Sequence, residues 1–113
     1  MPKHVFLVRT GPSSPERTDE YHHWYDTIHL PDLLNVKGVV GATRYQVAAA
    51  QQGGAVIEGP QYLAIYEVEI EDVQDFFDDM MRAASDGSMR MSDSLGMDAV
   101  DLSMWQEITP RVS

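Results

Sequence analysis

Glu20-Tyr21-His22-His23-Trp24-Tyr25-Asp26-Thr27-Ile28-His29-Leu30-Pro31-Asp32 reads as a helix with an apolar stripe and an enforced end. Tyr21, Trp24, Tyr25 and Ile28 recur at i, i+3, i+4 and i+7, the spacing of one helical face. Upstream, Ser14-Pro15-Glu16 is a helix-start signal, because proline suits a first turn whose N–H groups have no partner inside the helix. The helix is clearest over residues 18–28. Pro31 lacks an N–H and crowds the preceding turn, so the helix is predicted to break near His29, with one further turn over 31–34.

On either side of this helix the pattern changes to strands. Residues 4–9 are a short run rich in β-formers, closed by Gly11-Pro12. A second strand is predicted over 39–47, opened by Gly38, and a third over 62–70, with Gln51-Gln52-Gly53-Gly54 and Gly59-Pro60 bounding the loop between them. The latter half of the third strand alternates apolar and acidic residues, as a sheet with one wetter face requires. Val73, Phe76, Phe77 and Met80 give a second helical stripe within 72–84. Residues 85–96, rich in Ser, Gly, Asp and Met, read as a surface loop or a short irregular helix. The last strand is predicted over 98–108, with Val100, Leu102 and Met104 alternating against Asp101, Ser103 and Trp105.

The order β-α-β-β-α-β is that of an α+β, ferredoxin-like domain: a four-stranded antiparallel sheet with both helices on one face. One domain is expected over residues 1–113. The helices leave the other sheet face bare, so a homodimer that covers it, sheet against sheet, is the expected assembly.

Composition narrows the function. The formal net charge of the 113 residues is −10, which opposes nucleic-acid binding and docking on anionic membranes. An apolar share of 43% is ordinary for a folded domain, and no stretch is long enough to span a bilayer. With no cysteine, disulfides, thiol catalysis and thiolate metal sites are excluded. The first residues lack the apolar core of a secretory signal, so a cytoplasmic location is expected. No phosphate-binding glycine loop, GxSxG elbow or HExxH pair occurs, and an organic cofactor is not expected.

On a regular helix of about 100° per residue, His22, Asp26 and His29 form one ladder along the edge of the apolar stripe, while His23 points nearly the opposite way. In that geometry Asp26 accepts a hydrogen bond from an imidazole and raises its basicity. At a helix end, His29 would feel the terminal carbonyls, which favour its charged form, against burial beside Trp24 or Tyr25, which disfavours it. It then titrates near neutral pH and serves as a proton carrier, or it merely caps the broken helix. A metal site is not expected, because i and i+7 stand about 10 Å apart along the axis. Tyr21, Trp24 and Tyr25 form core between helix and sheet, or wall a pocket. Tyr45 reaches the pocket if it faces the helices, and Arg44 then faces the dimer seam. Tyr62 and Tyr66 share one face with the small Ala64 between them, which leaves space. The many methionines near the second helix and the loop suit a pliable apolar surface.

Trp24-Tyr25-x-x-x-His29-x-Pro31-Asp32-Leu33, followed by Gly38 and the strand carrying Arg44-Tyr45, resembles the EthD-like branch of the dimeric α/β-barrel superfamily. The likeness covers the first half of the chain well, and the second half at the level of element order. It implies a dimeric barrel and a pocket lined by the late-helix histidine, His29. It also implies kinship in shape with cofactor-free polyketide cyclases, muconolactone-type isomerases and quinol-forming monooxygenases.

The expected function is cofactor-free proton transfer on a small hydrophobic carbonyl or phenolic molecule, of isomerase, cyclase or lyase type. In it His29 is acid or base, Asp26 orients it and His22 assists. Trp24, Tyr25, Tyr45, Tyr62 and Tyr66 form the binding wall. Two alternatives stand beside it: a non-catalytic dimeric module that binds a hydrophobic metabolite, and a cofactor-free monooxygenase.

Overall fold

A computed structural model describes residues 1–113. In chain order the elements are β1 (Lys3–Thr10), a 3-10 turn (Pro15–Arg17), α1 (Thr18–Trp24), a π-helical turn (Tyr25–His29), α2 (Leu30–Leu34), β2 (Val39–Gln46), β3 (Tyr62–Glu69), α3 (Val73–Asp86) and β4 (Asp101–Gln106). The four strands form one antiparallel sheet in the order β2-β3-β1-β4. The α+β, ferredoxin-like arrangement expected from the alternating patterns is therefore present. No helix is long and apolar enough to cross a membrane.

Strand register sorts the side chains into two faces. His4, Phe6, Val8 and Thr10 of β1 are buried, and opposite them on β3 stand Val68, Tyr66, Ala64 and Tyr62. These residues meet the helices, and Tyr21, Trp24, Tyr25, Leu33 and Phe76 complete the core above them. The opposite face carries Leu7 beside Ile65, Leu63 beside Tyr45, and Val5 beside Trp105. Tyr45 and Trp105 are 52% and 59% exposed there. The bare sheet face inferred from the sequence is thus a real apolar surface.

Besides shifts of one or two residues at strand ends, three boundaries differ from expectation. The largest difference is at Pro31, where the helix does not break. Trp24, Tyr25, His29 and Leu30 all keep right-handed helical angles, and the Leu30 N–H bonds to the carbonyl of Tyr25, five residues back. A π-turn takes one residue more than an α-turn, and this wider turn accommodates the proline ring in the first turn of α2. The other two differences lie around the methionine-rich loop. Helix α3 runs on to Asp86 and ends on Gly87 at φ 85°, and β4 begins only at Asp101, which leaves 98–100 to the loop.

Gly38 sets the entry of β2. Its φ is 97°, its carbonyl accepts from the Glu69 N–H at 2.8 Å, and a Cβ added there would stand 2.5 Å from Cγ2 of Ile70. Gly38→Ala is expected to destabilise the fold by about 1–3 kcal/mol, read as a lower urea midpoint with an unchanged slope.

Candidate functional site

The π-turn aims His29 away from the edge it would share with His22. One residue inserted into a helix rotates the downstream residues by about 100°. His29 is accordingly buried, at 8% exposure. Its ring stacks on Trp24, with centroids 4.6 Å apart, and meets Tyr25 edge-on at 4.9 Å. Its Nδ1 is buried and has no hydrogen-bond partner. Burial pushes its pKa down to about 4; Asp32 opposes the shift and Arg44 adds to it. His29 is therefore neutral at pH 7 and does not titrate there as the sequence suggested. The expected opposing influence, a set of free helix-end carbonyls, is missing because the helix continues to Leu34.

His29 lines a chamber of about 160 Å3 between the sheet and the helices. Phe6 and Val8 of β1 and Tyr66 of β3 lie below, and Tyr25 and Leu33 flank the histidine. Met80, the 87–100 loop and Leu102 form the remaining side, where Met91, Met97 and Leu102 stay exposed and the chamber opens to solvent. Every lining residue except Thr10 and His29 is hydrophobic, so water has few partners inside. The hydroxyls of Tyr25 and Tyr66 stand 3.3 Å apart. Burial raises the pKa of both, and the Tyr25–Tyr66 hydrogen bond lowers it for Tyr25 and raises it for Tyr66. Both phenols stay protonated; one O–H is used in the bond between them, and the other remains free to donate.

The loop that closes the chamber is clamped by the motif helix. Asp32, only 7% exposed, accepts three hydrogen bonds from Arg90. They come from the backbone N–H at 2.9 Å, Nε at 3.1 Å and Nη2 at 2.8 Å. Hydrogen bonding from Arg90 holds the Asp32 carboxyl below its ordinary pKa. The indole N–H of Trp24 donates to the Arg90 carbonyl at 3.1 Å. With Arg90 turned outward, its neighbours Met89 and Met91 line the chamber. Neither Asp32 nor Arg90 was assigned a role from the sequence. The available signal was a lone arginine among methionines and serines, together with a carboxylate just past a proline.

The other expected site residues lie elsewhere. Asp26 does not orient His29; it accepts from Arg44 Nη1 at 2.8 Å. Arg44 Nη2 lies 3.1 Å from Nδ1 of His22, and the guanidinium sits 4.2 Å from the centre of the Tyr25 ring. His22 packs edge-on against Tyr62 at 4.6 Å. His22, Asp26 and Tyr62 thus form a cluster around Arg44, separate from the chamber. Desolvation, with the Arg44 charge adding to it, keeps the His22 pKa low. Arg44 faces the helices because its partner in register is Ala64, whose small side chain leaves room for the guanidinium. Tyr45, one residue on, therefore faces the open side of the sheet and does not reach the chamber. Of the residues named from the sequence, His29, Tyr25 and Tyr66 line the chamber, and Trp24 supports it from behind. No group of three or more His, Asp or Glu side chains converges as a metal would need.

No protein-family model matches the chain, and neither does any curated protein. Solved structures do match. An ethyl tert-butyl ether D (EthD) family protein from Bacillus halodurans C-125 is 12% identical with a TM-score of 0.60, over 96% of this chain and 100% of that one. An EthD-like protein from Ralstonia eutropha JMP134 is 14% identical with a TM-score of 0.58, over 98% and 97%. HapK from Hahella chejuensis is 11% identical with a TM-score of 0.50, over 100% and 96%. At such identities the likeness is one of fold. This chain has the ferredoxin-like fold of the EthD-like proteins, as its Trp24-to-Leu33 motif suggested.

The clamp makes a direct prediction. Asp32→Asn removes the charge and one acceptor oxygen, so at least one of the three bonds is lost, and Asp32→Ala removes all three. Losses of about 1 and about 3 kcal/mol are expected in denaturant unfolding. Faster amide exchange should be confined to residues 88–97 and the end of α2.

Proposed function

We propose that this protein is a cofactor-free enzyme that moves a proton on a small hydrophobic carbonyl or phenolic molecule held in the chamber. The observation that supports this most is the His29 imidazole, kept neutral by burial, in the lining of an apolar chamber that two protonated phenols also line.

In this mechanism neutral His29 accepts a proton from a carbon beside the ligand's carbonyl, or from its hydroxyl. The Tyr25–Tyr66 pair donates to the oxygen on which negative charge develops. Returning the proton at a different carbon gives isomerisation; attack of the enolate carbon on a second carbonyl of the same molecule, whose π bond opens and whose oxygen takes the proton back from His29, gives cyclisation. Trp24 fixes the imidazole plane, the role that the sequence suggested for Asp26. His22 and Asp26 act at most through Arg44, whose charge lies over Tyr25.

One observation favours the second reading, a non-catalytic binding module. A histidine whose pKa is about 4 is a weak base on its own. In either case we propose a homodimer formed through the open sheet face, where Leu7, Ile65, Tyr45 and Trp105 lie together. Ile65→Glu is expected to give a monomer in sedimentation analysis and to leave the circular dichroism spectrum unchanged.

The His29 assignment is checked by pH and by substitution together. Below about pH 6.5 the unfolded chain protonates this histidine, whereas the folded chain keeps it neutral down to about pH 4. Acid therefore favours unfolding across that window, by up to roughly 3 kcal/mol in all, and the effect vanishes above it. His29→Gln should flatten the fall in stability between pH 6.5 and 4 relative to the parent chain. The same variant should cut turnover by about 100-fold or more while holding ligand affinity within about tenfold. Retained turnover would overturn the His29 assignment, ligand binding by the parent chain without any turnover would leave the binding module, and oxygen uptake with electron-rich phenols would point to the monooxygenase.

A further inference from the structure

The chamber is selective in charge and size. None of its lining side chains carries a formal charge. The two arginines close to it are both engaged. Arg90 sits between lining residues Met89 and Met91, but its guanidinium is turned onto Asp32 at 2.8 and 3.1 Å. Arg44 lies over Tyr25 at 4.2 Å and is held by Asp26 at 2.8 Å. An anion entering the chamber would lose its water and meet no free cation, which is costly in an apolar environment. The net charge of −10 repels anions before they arrive.

Size is set by the volume. At about 160 Å3 the chamber has room for one ring, as does a sealed apolar cavity of about 150 Å3 that takes up benzene, and its mouth lies at the exposed Met91, Met97 and Leu102. Met80, Met89, Met91 and Met97 supply thioethers to one side, and sulfur makes favourable contacts with aromatic ring edges. The polar side chains of the lining are His29, Thr10 and the phenols Tyr25 and Tyr66.

Building on the proton-transfer function above, we propose that the ligand is an uncharged one-ring phenol or cyclic ketone. Its oxygen points toward His29 and the two tyrosines, and its ring lies against the methionines. Carboxylates, phosphates and phosphorylated carrier thioesters are excluded.

The test compares o-cresol with salicylate, which share a ring and an ortho pattern and differ in charge, and adds 2-naphthol as the larger ring. Calorimetric titration of the full chain at pH 7 should show o-cresol binding. Salicylate should bind at least about 100-fold more weakly and 2-naphthol at least about tenfold more weakly. Salicylate binding as well as o-cresol, 2-naphthol binding as well as o-cresol, or no binding of o-cresol would each overturn the proposal. Parallel titration of His29→Gln separates this from the catalytic assignment. If o-cresol is bound, salicylate is refused and substitution of His29 leaves turnover intact, the ligand class stands and the proton transfer falls. If a carboxylate is turned over in a His29-dependent way, the ligand class falls and the proton transfer stands.

Discussion

One extra residue in a helical turn organises the site. The Leu30 N–H reaches back five residues to Tyr25 instead of four, and the helix continues to Leu34 with Pro31 inside it. His29 thereby rotates off the edge shared with His22 and Asp26 and into the space between helix and sheet. It also loses the free carbonyls of a helix end, so nothing nearby stabilises its charged form enough to offset burial. A proline that ended the helix would have left this histidine as a cap at the surface.

The same helix then determines what covers the histidine. Asp32 lies one turn past His29, and its carboxylate takes both the backbone and the side chain of Arg90, fifty-eight residues away. Trp24 performs two tasks: its ring stacks on His29, and its N–H holds the Arg90 carbonyl. Two residues of the motif, Trp24 and Asp32, thus hold the imidazole and the Arg90 loop as one unit. The Arg17 contacts to Asp93 add a second tether but are largely exposed, and exposed ion pairs contribute little. The buried clamp is the stronger restraint.

The fold was legible because strand alternation and helix stripes are local signals. His4 to Thr10 alternates in burial as written, and Leu102 and Met104 face the helices with Trp105 on the other side. The bare sheet face could be inferred from element order alone. The ladder of His22, Asp26 and His29 failed for a definite reason. It assumed a constant turn of about 100° per residue, and a π-turn violates that assumption without changing residue types in any obvious way. Arg44 and Tyr45 could be placed on opposite faces, but which face met the helices depended on pairing with Ala64, a long-range fact. The chamber's closing loop was illegible because its order comes from Arg90 and Asp32, not from any periodicity of its own.

A low histidine pKa and a role as base are compatible when the charges are created together. Burial penalises a lone imidazolium, and that penalty sets the value of about 4. In proton transfer the imidazolium forms a few ångströms from the enolate it has just produced. In a site of low dielectric that attraction is several times what it would be in water, so the pair escapes most of the penalty borne by the single ion. In the proton transfer proposed above, the phenols of Tyr25 and Tyr66, kept protonated by the same burial, would stabilise the enolate partner without adding charge of their own. A permanent cation in the wall would raise the cost of protonating His29, and a permanent anion would oppose the enolate. A chamber lined without either, with its two arginines bound to Asp26 and Asp32, suits chemistry in which charge separates only briefly.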